Sequence, residues 1–312
     1  SSIPPANPFD PEKAADALRK AMKGLGTNED TVIQILTSHC NAQRLEIERK
    51  YRQLYNRDLR ADLTSEISGK FLNIALTLLD HPRIFDVSEC NEAMKGATTD
   101  EDALIEIVST RSNEEIATIC KFFKTTYKRD LERDVHAHTN EDIKPYLSSL
   151  LTGAREETLE PDVGLAKKEA QELFKAGEQM LTAEESTFHH MICVRSVPQL
   201  RETFSQYKKI SGNDIEGAIE SELSGNLQTA FLDIIKAIKN PASYFAERLF
   251  KSMKGAGTND RTMVRAIVSR SEVDMAAIKE EFQKAYGKSV AEFIRGDTSG
   301  DYRKILVAIV KE

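Results

Sequence analysis

Ala21-Met22-Lys23-Gly24-Leu25-Gly26-Thr27-Asn28 is the stretch that decides the fold, because the chain uses it again. It returns as Ala93-Met94-Lys95-Gly96-Ala97-Thr98-Thr99-Asp100 and as Ser252-Met253-Lys254-Gly255-Ala256-Gly257-Thr258-Asn259, with a degraded copy at Ala176-Gly177-Glu178-Gln179-Met180-Leu181-Thr182-Ala183. Met22 and Met94 stand 72 positions apart, and Met94 and Met253 stand 159 apart, 15 more than two such spacings. Repetition at a fixed period marks a chain built from stacked supersecondary units. The extra residues fall between Gly153 and Lys168, a stretch rich in Glu, Pro and Lys with little apolar pattern, as a surface connector is. The expected order is a short tail (1–12), repeat 1 (13–84), repeat 2 (85–155), a connector (156–168), repeat 3 (169–241) and repeat 4 (242–312).

A second block follows the first at a constant distance. It reads Ser65-Glu66-Ile67-Ser68-Gly69-Lys70-Phe71 in repeat 1, Ser221-Glu222-Leu223-Ser224-Gly225-Asn226-Leu227 in repeat 3 and Gly296-Asp297-Thr298-Ser299-Gly300-Asp301-Tyr302 in repeat 4. Gly26 to Glu66 is 40 positions, and so is Gly257 to Asp297; the same step from Thr98 lands on His138, not on an acid. Between the blocks the pattern is helical. Val32, Ile33, Ile35 and Leu36 share one stripe, as do Met263, Val264, Ile267 and Val268. Asp10-Pro11 is a helix start. Thr27-x-x-Asp30, Thr99-x-x-Asp102 and Thr182-x-x-Glu185 read as capping boxes, and Ser112-x-x-Glu115, Ser196-x-x-Gln199 and Ser271-x-x-Asp274 mark a further start in repeats 2 to 4. No segment has strand period. The fold class is all-α, and a repeat of this length accommodates about five helices of about 11–12 residues or fewer.

Composition narrows the partners. With 43 Lys and Arg against 50 Asp and Glu, the formal net charge is -7. That argues against nucleic acid as the main partner and against direct electrostatic docking on an acidic membrane. An acidic surface is reachable only with a cation between. The longest apolar run, from Ile305 to Val310, is far too short to span a bilayer, and the first residues carry no signal-peptide pattern. Cys40, Cys90, Cys120 and Cys193 are widely spaced, form no C-x-x-C pair and read as reduced thiols.

The two blocks together supply what a hard cation needs. Paired glycines let the backbone take positive φ and turn several carbonyls to one side. Ca²⁺ takes about 6–8 oxygens. In repeat 1 the carbonyls of Met22, Gly24 and Gly26 with the carboxylate of Glu66 form such a set; in repeat 4 it is Met253, Gly255, Gly257 and Asp297. One carboxylate against a doubly charged ion leaves the site electropositive and short of ligands, so a lipid phosphate completes both. The competing reading of the same residues is a helix C-cap followed by an N-cap. In repeat 2, Met94 and Gly96 remain, but Thr98 and His138 replace the second glycine and the acid, and nitrogen suits calcium poorly; Glu141 and Asp142 are the nearby substitutes. Repeat 3 keeps Gly177 and Glu222 in a loop lacking its second glycine.

Met-Lys-Gly-x-Gly-Thr with a downstream Ser-Glu-x-Ser-Gly or Gly-Asp-Thr-Ser-Gly resembles the repeat signature of the annexin family, from about Asp10 to Glu312. The resemblance implies four five-helix repeats in a slightly curved disc with the calcium loops on the convex face. It implies Ca²⁺ as the bound ion and reversible attachment to phosphatidylserine-type membranes, with membrane linking and self-association there as further expectations. It implies a minor calcium site at Thr27 and Glu29, and a polar centre between the two halves formed by Asp86, Glu89, Glu106, Arg111 and Arg265, read here as a solvated ion-pair network. The expected location is the cytoplasm, peripheral on membranes when calcium rises, with release from the cell without a signal peptide as an additional expectation. No catalytic or cofactor-binding residue is expected: the glycine loops match neither phosphate-binding pattern, no EF-hand loop is present, and adjacent His189 and His190 face different ways on a helix. The tail before the first helix has no amphipathic pattern to offer a groove.

Overall fold

The computed structural model describes residues 1–177 and 187–312. Within them, helices account for the regular structure and there is no strand. Repeat 1 comprises α1 (Pro11–Met22), α2 (Glu29–Ser38), α3 (Asn41–Tyr55), α4 (Leu59–Glu66) and α5 (Gly69–Leu79). Repeat 2 comprises α6 (Pro82–Ala93), α7 (Glu101–Thr110), α8 (Asn113–Tyr127), α9 (Leu131–His138) and α10 (Lys144–Leu151). In repeat 3 the described helices are α11 (Val163–Ala176), α12 (Thr187–Val194), α13 (Val197–Ser211), α14 (Ile215–Glu222) and α15 (Gly225–Lys239). Repeat 4 comprises α16 (Pro241–Met253), α17 (Asp260–Arg270), α18 (Met275–Tyr286), α19 (Val290–Asp297) and α20 (Gly300–Val310).

Side-chain caps set many of the boundaries. Asp10 accepts from the Lys13 amide and Pro11 opens α1; Ser112 with Glu115 forms a reciprocal box at α8; Ser196 accepts from the Gln199 amide at α13. Each such cap satisfies an amide that the helix leaves unpaired. Two expectations are corrected. Ser271 does not open α18: it sits in helical φ/ψ directly after α17, and α18 begins only at Met275, after Asp274, whose carboxylate is held by Arg270. Asp162 caps α11 through the Leu165 amide, so helix begins at Val163, inside the stretch that composition reads as connector. The Thr182-x-x-Glu185 box lies outside the described residues.

The chain divides into two compact units. One holds residues 1–85 and 245–312, hence the first and last repeats; the other holds residues 86–244. In the first unit α2 packs on α20, and α5 on α17 and α20. The tail is docked there: Ile3 is buried, the Ser2 hydroxyl donates to the Ile309 carbonyl (2.6 Å), and Gln43 exchanges hydrogen bonds with the main chain of Ala6. Phe250 stacks on Tyr286 with centroids 3.8 Å apart and meets Phe282 and Phe293 edge-on. In the second unit α7 packs on α15 and α11 on α13, around a core that includes Leu104, Phe123, Phe188 and Phe231. Each such fully buried side chain contributes about 1.5–3 kcal/mol relative to exposure. Cys40, Cys90 and Cys193 are buried and Cys120 is half-buried, all as free thiols.

Arg44 ties repeat 1 to repeat 4 from inside the first unit. Its guanidinium donates to the carbonyls of Leu78 (2.6 Å), Leu36 (3.1 Å) and His39 (2.5 Å) and to Glu272 (2.9 Å). Burial lowers its pKa, and the Glu272 carboxylate opposes that. Replacing Arg44 with Met removes the guanidinium donors from the carbonyls of Leu36, His39 and Leu78, of which Leu78 keeps only the longer bond from the Asn41 side chain (3.3 Å), and takes the cation from Glu272. We expect Arg44→Met to cost about 3–5 kcal/mol, read as an earlier unfolding midpoint in urea; an unchanged midpoint contradicts this account of the unit.

Candidate functional site

The glycine loops of repeats 1, 2 and 4, which lie among the described residues, close in the same way. Asn28 N–H donates to the Ala21 carbonyl (2.8 Å), Asp100 to Ala93 (2.8 Å) and Asn259 to Ser252 (2.7 Å). Each bond joins the end of one helix to the residue capping the next. The caps are Asn28, Asp100 and Asn259, whose side chains accept from the amides of Thr31, Ala103 and Thr262. The capping role expected of Thr27 and Thr99 therefore belongs to the next residue.

Closing so short a loop forces positive φ. Gly24 lies at +108° and Gly26 at +82°; Gly255 lies at +115° and Gly257 at +108°. No atom would obstruct a Cβ at any of the four, so it is backbone conformation and not space that demands glycine. Among the described residues, no main-chain amide donates to the carbonyls of Met22, Gly24 or Gly26, nor to those of Met253, Gly255 or Gly257. Leu25, between the glycines, is fully exposed at the loop tip, a feature that helical patterning does not flag.

The acids come to the loops as the 40-residue spacing predicts. Glu66 ends α4 and Asp297 ends α19. The Thr27 hydroxyl donates to Glu66 Oε2 (2.9 Å), and the Thr258 hydroxyl donates to Asp297 Oδ2. Glu29 opens α2 beside Thr27. Both acids line one cleft of about 530 Å³ within the first unit, with Glu29, Lys70, Asp260 and Tyr302. There Lys70 pairs with Asp260 (2.6 Å), and Tyr302 donates to Asp260 (2.6 Å). Burial and that carboxylate push the Tyr302 phenol up. On the same unit Lys304 pairs with Asp30 (2.9 Å).

Repeat 2 keeps the closure but not the donor set. Gly96 has φ +103°, yet Thr98 does not take positive φ where Gly26 and Gly257 do. His138 is exposed, and its Nδ1 lies 2.8 Å from the Asp134 carbonyl. Of the acids nearby, Glu141 pairs with Lys144, which lowers its pKa, and Glu101 accepts from the Asn140 amide (2.5 Å), while Asp142 is exposed and its amide donates to Asn140 Oδ1 (3.1 Å). Met94 follows α6 and is buried. In repeat 3, Gly177 ends α11 at φ +51° and Glu222 ends α14, but the loop between α11 and α12, residues 178–186, lies outside the described residues. No three His, Cys, Asp or Glu side chains among the described residues converge to hold a metal; what repeats 1 and 4 bring together is one carboxylate and a glycine loop whose carbonyls accept from no main-chain amide, all of them hard oxygen atoms of the kind that suit Ca²⁺.

The charged residues expected at a polar centre are buried, not solvated as expected. Asp86, Glu89, Glu106 and Arg111 lie in the second unit and Arg265 in the first, all nine-tenths or more covered. Arg111 makes a two-pronged pair with Asp86 (2.8 and 3.1 Å). Burial by itself lowers the guanidinium; Asp86 overrides it, so the group is held above its ordinary value. His189 packs against the ring of Tyr146, centroids 4.5 Å apart.

An all-α chain of four repeats, with turned glycine loops whose threonines bond a carboxylate 39 residues further on, defines the class. The annexin family profile matches residues 13–78, 85–150, 168–234 and 244–309, and the chain belongs to the annexin family. Annexin A11 of Oryctolagus cuniculus is 45% identical over 308 residues, 99% of this chain; the chain spans 61% of that relative's length. The solved structure of annexin III superposes with a TM-score of 0.93 at 40% identity, covering 99% of this chain and 96% of its own. That of calcium-bound annexin (Sm)1 does so with a TM-score of 0.90 at 31% identity, covering 100% and 93%. Calcium-dependent phospholipid binding is the general activity of the family to which the chain belongs. No described helix is long and apolar enough to cross a membrane.

The Asp86–Arg111 pair is remote in kind from the loops: it is interior and ionic. We expect Asp86→Asn to strand a buried guanidinium and cost about 3–5 kcal/mol. Thermal unfolding in chelator measures it, and an unchanged melting temperature would show the pair to be dispensable.

Proposed function

We propose that this chain docks reversibly on acidic, phosphatidylserine-type membranes through the glycine loops of repeats 1 and 4. The observation that carries the reading is the pairing of Glu66 with the Gly24–Gly26 loop and of Asp297 with the Gly255–Gly257 loop, each made by a threonine hydroxyl. The carbonyls of Met22, Gly24 and Gly26 with Glu66, and those of Met253, Gly255 and Gly257 with Asp297, are the groups that would hold Ca²⁺. Bound there, the ion supplies positive charge and open coordination positions for lipid phosphate, which a chain of net charge -7 does not offer by itself. Thr27 and Glu29 form a minor oxygen site beside the first loop. Leu25, exposed at the tip, is placed to enter the headgroup layer. The calcium-bound state of annexin (Sm)1, similar along the whole chain, supports the choice of ion.

The loops of repeats 2 and 3 add little to this docking. Repeat 2 lacks both the second turned glycine and the acid, through Thr98 and His138. The role is binding and not catalysis, at membranes that the protein reaches from solution when calcium rises; organising or linking membranes, and association of copies there, follow from such docking.

The test is co-sedimentation with phosphatidylserine vesicles across a calcium titration. Glu66→Ala with Asp297→Ala should raise the calcium needed for half-maximal pelleting by at least 30-fold, while His138→Ala leaves it within a factor of two. Wild-type-like pelleting by the double variant would contradict the assignment and leave a helical-repeat scaffold with vestigial loops.

A further inference from the structure

We infer that Thr27 and Thr258 are positioning residues for the cation-binding carboxylates, holding Glu66 and Asp297 against their loops before any ion arrives. The inference rests on the membrane-docking reading above and names the groups that set the calcium requirement of its two sites.

The first observation is what these threonines do not do. Thr27 occupies the first position of a capping-box pattern, yet the helix behind it is capped by Asn28, whose side chain accepts from the Thr31 amide at 3.0 Å. Asn259 does the same for the helix behind Thr258, through the Thr262 amide at 3.1 Å. The threonine hydroxyls are thereby released from helix capping. Both spend their proton on the same target, a carboxylate 39 residues further on.

The second observation is that the contact is made twice with different acids. Glu66 is one methylene longer than Asp297 and is exposed, whereas Asp297 is half-buried. A common geometry reached by side chains of different length and exposure points to the loop threonine as the fixed member. Threonine is suited to that part: its β-branch restricts χ1, so the hydroxyl direction is set by the backbone. The backbone in turn is set by the closure from Asn28 to Ala21 and from Asn259 to Ser252.

The consequence concerns rotamer freedom. A free glutamate at a helix end samples many positions, and binding an ion must select one. A hydroxyl donor at the loop makes that selection in advance. It does not block coordination, because a carboxylate offers about four lone-pair positions and one hydrogen bond uses one of them. The main-chain carbonyl of Thr27 takes no part and stays available to the minor site. Repeat 2 shows the register without the function: Thr99 stands where Thr27 and Thr258 stand, but the residue 39 positions on is His138, turned to the Asp134 carbonyl.

Hydrogen-bond partners of metal-ligating groups typically affect affinity by about 10–100-fold. For the full chain carrying Thr27→Val and Thr258→Val, we expect the calcium required for half-maximal pelleting of phosphatidylserine vesicles to rise about 10-fold or more. Calcium affinity without lipid, read by calorimetry, should weaken in parallel, and the melting temperature in chelator should stay within one or two degrees (on the order of the change that a surface substitution makes). Thr27→Ser with Thr258→Ser keeps the donors and should stay within about threefold of wild type, well inside the valine effect. A calcium-dependent wild type whose valine variant is unshifted overturns the clamp. So does a valine variant that melts early in chelator and is not rescued by serine, since that is a structural role. A wild type that pellets regardless of calcium contradicts the docking reading itself and takes the inference with it. The single variant Thr27→Val, with the repeat 4 loop intact, provides the same comparison should the double variant not fold.

Discussion

A hydrogen bond across seven residues, from the amide of Asn28 to the carbonyl of Ala21, is the constraint on which the site depends. It pulls the start of α2 back to the end of α1 and leaves only a few residues to make the turn. All three closed turns place a glycine at positive φ after the lysine, at Gly24, Gly96 and Gly255, and in repeats 1 and 4 no main-chain amide of the described residues donates to the carbonyls of the turned glycines. The same closure fixes the side chain at the next helix start as the cap and frees the threonine before it. Repeats 2 and 4 repeat the bond with different residues, so the constraint is geometric and not chemical.

Function is separated from fold at the next level. Repeat 2 closes its loop as repeats 1 and 4 do, yet Thr98 and His138 leave it without the second turned glycine and the acid. The fold thus tolerates loss of the donor set, because the exposed loop contributes little to the core. The two loops that combine paired turned glycines with an acid belong to the first and last repeats, which share one compact unit. Arg44, Glu272, Lys70 and Asp260 join those repeats, so the elements carrying Glu66 and Asp297 are held in one body and face one cleft.

Much of this was legible in the chain. The repeat, the helical class and the pairing of Glu66 and Asp297 with their loops followed from period and spacing, because strict spacing survives folding. The caps were misread by one residue: Thr27 and Asn28 are both competent caps, and only the closure decides between them. Ser271 was misread because Asp274 is drawn into a pair with Arg270, which delays α18. The buried character of Asp86, Glu89, Glu106, Arg111 and Arg265 was missed because charge reads as surface unless partners are known. Leu25 was missed because a single apolar residue between glycines has no periodicity to place it.

The central claim is that cation binding resides in the loops of repeats 1 and 4 and not in that of repeat 2. A crystal structure determined with calcium tests it most directly. The account predicts density for an ion bounded by the carbonyls of Met22, Gly24 and Gly26 with Glu66, a second bounded by those of Met253, Gly255 and Gly257 with Asp297, and none beside His138. An ion beside His138, or empty loops in repeats 1 and 4 at calcium levels that support membrane pelleting, would contradict it.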